Sequence, residues 1–242
     1  MTYDIFYRTY SGDAAWLDYS LQSIHKFVTG YSSVVVTAPE SSREIIERIV
    51  LKHGFKYIVC DAIHTDDYVG QQATKMYADL YTNSDIIVHV DSDVIFTKPV
   101  TLQSFLNAEG TKPLNLKSAY ANIETPWKSI TEASVKFEVH YEYMRRIPLA
   151  YPREIYKQIR DHIEKVHGVT FYEFIRSITN REMSEFNIIG AVSDQYYPNS
   201  IEWQDTHGTI PIPESFATQY WSWGGVHDHE AEIQQVLCFK KI

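Results

Sequence analysis

The chain has 242 residues, 44% hydrophobic and 22% charged, with a net charge of −9 from 22 basic and 31 acidic residues. That length suffices for one large domain with its own core, and the acidic balance excludes a nonspecific nucleic-acid binder built on a basic stripe. With two cysteines, Cys60 and Cys238, nothing suggests a disulfide framework or a zinc site, and no apolar run reaches the length of a membrane span.

The first hundred residues read as alternating strand and helix. Tyr3–Arg8 is a strand. Asp13 can cap a helix running to about Val28, with Trp16, Leu17, Ser20, Leu21, Ile24 and Phe27 near helical spacing and Gly30 as its stop. Ser33–Thr37 is a second strand centred on Val34, Val35 and Val36. Ser41-Ser42-Arg43-Glu44 matches a capping box and opens a helix that ends at Gly54. Lys56–Cys60 is a third strand with Cys60 as a buried thiol, and a helix covers about Gly70 to Tyr81. The apolar, β-branched run Ile86-Ile87-Val88-His89-Val90 is a fourth, buried strand. Strands separated by helices imply parallel βαβ units with right-handed crossovers, hence an α/β fold with a mostly parallel sheet. In the second half, helices are expected over Val135–Met144, Pro152–His167, Thr170–Ile178 and Ser184–Ala191. No linker or repeat appears, so residues 1–242 are read as one domain. Residues 1–100 form a nucleotide and metal half, and 101–242 an acceptor half with a C-terminal tail.

The fourth strand ends in Asp91-Ser92-Asp93, which puts two carboxylates at the C-terminal edge of the sheet, where open α/β sheets bind ligands. Carboxylates held close repel unless a cation lies beside them, so Asp91 and Asp93 read as ligands for Mn²⁺ or Mg²⁺ bridging to a diphosphate. A solvated turn with Asx hydrogen bonds is the bland alternative. On the preceding helix, Ala73, Met76, Tyr77 and Leu80 make a core face, while Gln72, Lys75 and Asp79 line another. Lys75 either contacts a phosphate or sugar, or pairs with Asp79 at i+4. After the first strand, Thr9 and Tyr10 can hold a base by hydrogen bond and stacking, and Asp13 is equally well a plain helix cap. Glu185, in the first turn of a late helix, is either a general base or acceptor-binding group, or a carboxylate serving the helix dipole. His227 and His229 share a face if extended and can complete a metal shell, or lie exposed in a loop. Imidazole with carboxylates suits Mn²⁺ better than Ca²⁺. Trp127, Trp221 and Trp223 are candidates for stacking on sugar faces, or for core, in a chain that is 14% aromatic. The Gly-x-Gly-x-x-Gly fingerprint and the Walker phosphate loop are absent.

The helix Gln71-Gln72-x-x-Lys75 and the run from Asp85 through Asp91-Ser92-Asp93 to Pro99 resemble glycosyltransferases of the GT-A fold. The likeness is to small enzymes of that fold from bacteria and large DNA viruses. These share the helix Trp-Leu-x-Tyr-Ser-Leu-x-Ser-Ile (here Trp16–Ile24), the Asp-x-Asp strand and a Ser-Glu-Phe segment (here Ser184-Glu185-Phe186). The resemblance runs from Tyr3 to Gly190 and weakens over Leu114–Arg181 and the last fifty residues. It implies a nucleotide-sugar donor, UDP-linked, and a cation held most firmly by Asp93, with Asp91 touching ribose or metal through water. It further implies a C-terminal histidine, His227 or His229, as third ligand, and Glu185 on the acceptor side. The expected activity is metal-dependent transfer of a sugar from a UDP-sugar to a hydroxyl of a glycan or glycoprotein. Thr9, Tyr10, Gln72, Lys75 and Asp91 would bind the donor, with Glu185 or Asp194 as base if the reaction inverts. The alternatives are a nucleotidyltransferase acting on sugar phosphates and an inactive carbohydrate-binding protein of the same fold. The start lacks the features of a signal peptide, so a cytoplasmic location is expected, in the host if the source is viral.

Overall fold

A computed structural model describes residues 1–145, 147–208 and 216–238. In chain order the strands are β1 (Tyr3–Arg8), β2 (Val28–Thr29), β3 (Ser33–Pro39), β4 (Lys56–Cys60), β5 (Ile86–His89), β6 (Val94–Phe96), β7 (Val100–Thr101), β8 (Leu114–Ala119), β9 (Tyr141–Glu142), β10 (Leu149–Pro152), β11 (Glu202–Asp205) and β12 (Ala217–Gln219). The helices are α1 (Ala14–Phe27), α2 (Arg43–Lys52), α3 (Asp67–Lys75), α4 (Trp127–Val135), α5 (Ile155–His167), α6 (Phe171–Ser177), α7 (Glu185–Tyr196) and α8 (Glu230–Cys238). Five strands form the central sheet in the order β10-β5-β1-β3-β4. β5, β1, β3 and β4 run parallel, and β10 closes one edge antiparallel to β5. Strand order steps outward in both directions from β1, so the crevice at the C-terminal ends of β1 and β5 is the natural ligand position.

Alternate side chains of the strands feed two cores. Ile5, Tyr7, Val34, Val36 and Val88 pack against Leu17, Leu21 and Ile24 of α1 and Ile46 and Val50 of α2. Phe6, Val35 and Ile87 face the other way, onto α3, α5, α6 and α7. Both faces are covered, which is why these strands carry continuous apolar runs instead of alternating ones.

The structure departs from the sequence expectations in five places. Ser42 makes no side-chain cap to α2, so the box at 41–44 is not formed; its hydroxyl instead accepts the Ser11 amide at 3.0 Å. α3 begins at Asp67, capped by Asp66, whose carboxylate accepts the Tyr68 amide, and ends at Lys75. The expected helix over Val135–Met144 is wrong: α4 precedes it and stops at Val135 because Lys136 turns left-handed at φ 61°. Pro152 belongs to β10, not to a helix, and the helix opened by Ser184 runs on to Tyr196.

Gly190 in α7 lies under the Tyr143 ring, where a Cβ would stand 2.2 Å from Tyr143 Cγ. Gly190→Ala is therefore expected to destabilise the protein by about 2–3 kcal/mol through overpacking, read as a lowered urea midpoint at unchanged slope.

Candidate active site

The C-terminal edge of the sheet gathers charged side chains from both halves of the chain. β5 ends at His89 and delivers Asp91 and Asp93 to the rim. Lys75, at the last turn of α3, places its ammonium 2.8 Å from Asp91 Oδ1 and 3.1 Å from Glu185 Oε1. Glu185 opens α7, and Gln72, one turn before Lys75, accepts the Glu185 amide on its side-chain oxygen at 3.2 Å. Lys75, Gln72 and Glu185 are buried. The Lys75 ammonium also lies over the Phe186 ring, 4.9 Å from its centre. Burial opposes the charge on Lys75, but Asp91 and Glu185 outweigh it and raise the ammonium above its ordinary range. Lys75 thus ties the strand-end carboxylate to the helix-start carboxylate. Its alternative partner Asp79 is taken by Arg160, whose guanidinium grips both carboxylate oxygens at 2.6 and 2.8 Å.

Asp93 is buried and held by the C-terminal segment. Its Oδ2 accepts the Ser222 amide at 2.8 Å and its Oδ1 the Gln219 side-chain amide at 3.3 Å. β12 pairs with β6 just beyond it, and the Asp93 carbonyl accepts the Tyr220 amide. Burial, then the charge of Asp91, push the Asp93 carboxyl up. Asp13, equally well a plain cap by sequence, makes no side-chain cap to α1. Burial first, then Asp93, raise it to about 6, while the Ser222 side chain hydrogen-bonds it and pulls the other way. The sequence left Asp13 open between a cap and a site role; the structure shows no cap bond and places it under the influence of Asp93 and Asp91.

Thr9 is buried, and its hydroxyl accepts from Ser92 Oγ at 2.7 Å, which locks the first loop to the Asp-Ser-Asp loop. Tyr10 is half exposed beside them, its ring over Gly12. Trp221 and Trp223 flank Ser222 with 59% and 86% of their surface exposed, and Trp127, half buried, opens α4.

The remaining predicted residues lie apart from this group. Asp194 is nine positions along α7 from Glu185, about 13 Å at the helical rise, and binds Lys117 Nζ at 2.5 Å and the Tyr143 hydroxyl at 3.0 Å. His227 is exposed and approaches Glu230 at 3.9 Å. His229 packs against the stacked Trp16 and Tyr220 rings. Among the described residues, no three His, Cys, Asp or Glu side chains stand as a ready group for a metal ion.

No family model matches the sequence, and no curated protein matches it. Among solved structures the chain is similar to 4-diphosphocytidyl-2C-methyl-D-erythritol synthase from Anaerococcus prevotii DSM 20548, with a TM-score of 0.53 over 96% of each chain and 11% sequence identity. The likeness is one of fold. This chain has the Rossmann-like α/β fold of the nucleotidyltransferase and GT-A kind, a central mainly parallel sheet flanked by helices. Asp13, Asp91 and Asp93 line the crevice at the C-terminal ends of β1 and β5.

The raised Asp13 makes a stability prediction. Its folded pKa, about 6, lies above the ordinary 3.8, so the folded state holds the proton more tightly. That stabilisation is full at low pH and is lost as pH rises from about 4 to 6. A fully buried shift of this size would carry about 3 kcal/mol; partial exposure cuts it to about 1. Asp13→Asn is expected to flatten this part of the curve of unfolding free energy against pH. An unchanged slope between pH 4 and 6 would rule the linkage out.

Proposed function

We propose that this chain is a metal-dependent glycosyltransferase that moves a sugar from a UDP-sugar to a hydroxyl acceptor. The observation that carries the reading is the Lys75 bridge. It draws a carboxylate of the Asp-Ser-Asp loop and a carboxylate from the second half of the chain onto one buried ammonium at the ligand-binding edge of the sheet. A buried triad of this kind is weak as a stabilising device and well suited to fixing charges around a reacting ligand.

The residues fit a divalent cation. Asp91 and Asp93 offer hard oxygen donors. Asp93 and Asp13 are both raised by burial and then by neighbouring negative charge, and a cation would relieve the second of these. Mg²⁺ and Mn²⁺ are commonly held by one or two carboxylates together with substrate phosphates and water, so the acidic pair suffices from the protein side. The cation would supply charge neutralisation for the departing diphosphate. Lys75 would orient Asp91 and the donor. Thr9 and Tyr10 would cradle the base. Glu185, held by Lys75 and Gln72, would face the acceptor hydroxyl, and Trp221 and Trp223 offer exposed rings for sugar stacking.

One observation favours a second reading. The 4-diphosphocytidyl-2C-methyl-D-erythritol synthase to which the chain is similar in fold is of the nucleotidyltransferase type, so a nucleotidyltransferase acting on sugar phosphates is the alternative. Against it stands the first loop, Arg8-Thr9-Tyr10-Ser11-Gly12-Asp13, which has one glycine and whose arginine is buried on Asp67. Incubation with Mn²⁺ separates the two. A glycosyltransferase slowly hydrolyses a UDP-sugar to UDP and free sugar, whereas a nucleotidyltransferase given a nucleoside triphosphate and a sugar phosphate joins the nucleotidyl group to the sugar phosphate, releases pyrophosphate and leaves the UDP-sugar intact.

A further inference from the structure

At the opposite edge of the central sheet, the starts of β1, β3 and β4 frame a second cleft of about 370 Å³. Asp4, Ser33 and Lys56 stand on the sheet face that carries Phe6, Val35 and Ile58, each two positions further along its strand. Tyr81 walls the cleft, its ring stacked on Phe6 with centroids 6.0 Å apart, and the turn Thr82–Ser84 closes the side. Asp4 lines this cleft and is only 4% exposed. Its Oδ2 accepts the Asn83 and Ser84 amides at 3.2 and 3.3 Å, while among the described residues its Oδ1 accepts no hydrogen bond and no cation pairs with it. Lys56 lines the same cleft from an exposed position. Buried acids are rarely left unpaired, and one that is calls for an explanation. The free oxygen is not sealed in the core, and the cleft is its opening.

The chemistry of the lining selects the class of ligand. An anion such as phosphate would meet Asp4, and a metal ion would meet Lys56. A neutral group that donates and accepts at once satisfies both. Adjacent sugar hydroxyls do this: they donate to a carboxylate and accept from an ammonium or amide. Ser33 and Asn83 add donors and acceptors, and Tyr81 and Val35 add apolar surface for the C–H face of a sugar ring. We propose that this cleft is a carbohydrate-docking site that holds one pyranose unit through Asp4, Asn83 and Lys56 against Tyr81. β1 runs from Asp4 toward Thr9, so about 16 Å separates the cleft from the acidic rim. A sugar held here needs no chemistry at the rim, so the site stands independently of the transferase reading.

The test is saturation-transfer NMR on the intact chain. The probes are the methyl glycosides of glucose, galactose and mannose, and N-acetylglucosamine, each recorded without and with UDP and Mg²⁺ to fill the rim. At least one probe is expected to receive saturation from the wild type and to keep it when UDP and Mg²⁺ are added. Asp4→Asn keeps an oxygen for the Asn83 and Ser84 amides and turns the other position into a donor, so affinity should fall about 10-fold, the size of one charged hydrogen bond. Lys56→Ala, at an exposed position, should weaken binding about 3-fold and decides if Asp4→Asn fails to fold. No transfer to any probe overturns the proposal. So does transfer that UDP abolishes, which puts the sugar at the rim, and so does affinity unchanged in Asp4→Asn, or in Lys56→Ala where that variant has to decide.

Discussion

Replacing Lys75 by methionine is expected to destabilise the folded chain by about 3–5 kcal/mol, the usual cost of removing one partner from a buried charge network. Methionine fills similar volume, so the loss is electrostatic and not a cavity. It leaves Asp91 and Glu185 facing each other without their shared cation, with Glu185 buried at the start of α7. One consequence separates this from a generic core defect. Combining Lys75→Met with Glu185→Gln should recover more than half of the loss, because the second change removes one of the two stranded charges. Chemical denaturation of the single and double variants measures the effect. A double variant no more stable than Lys75→Met alone would show that the bridge is not a coupled unit.

Asp93→Asn should have the opposite character, with large functional loss and small structural cost. Asp93 is buried beside Asp91, and its charged form is already disfavoured there. The amide keeps an oxygen for the Ser222 backbone N–H and removes a like-charge repulsion, so stability should stay within about 1 kcal/mol of the wild type. Cation-dependent nucleotide binding should fall by about 100-fold or more, because a neutral amide replaces one of only two anionic donors. The contrast matters. On the proposed reading, the charge of Lys75 serves both fold and site, whereas the charge of Asp93 serves the ligand more than the fold.

Much of the first half was legible because its signals are local. Runs such as Val34-Val35-Val36 and Ile86-Ile87-Val88 have no polar interruption, and only a doubly covered strand tolerates that. The Asp-Ser-Asp loop was legible for the same reason: the apolar run stops, and the strand end fixes the position of the three residues beyond it. The partner of Lys75 was not legible. At i+4, Asp79 is as good a candidate as any, and what decides is Arg160, 81 positions away, which claims Asp79 with both guanidinium nitrogens. Glu185 lies 110 positions from Lys75, and no spacing rule reaches that far. The helix over Val135–Met144 failed because its apolar residues, Val135, Phe137, Val139, Tyr141 and Tyr143, alternate with polar ones, a strand period that leads into β9, and the backbone reverses at Lys136. Asp13 stayed undecided because a carboxylate at a helix start looks alike whether it caps the helix or faces a crevice. Only the absence of the cap bond and the nearness of Asp93 tell the two apart.

The function proposed for this chain stands or falls with a divalent ion on the acidic rim that in turn holds the diphosphate of a nucleotide. Calorimetric titration of the wild-type chain with UDP, first with Mn²⁺ and then with the metal stripped by EDTA, reads that arrangement without any substitution. Saturable binding with the metal present and its collapse on chelation are expected. UDP binding of equal strength before and after EDTA would mean that the rim holds no bridging ion.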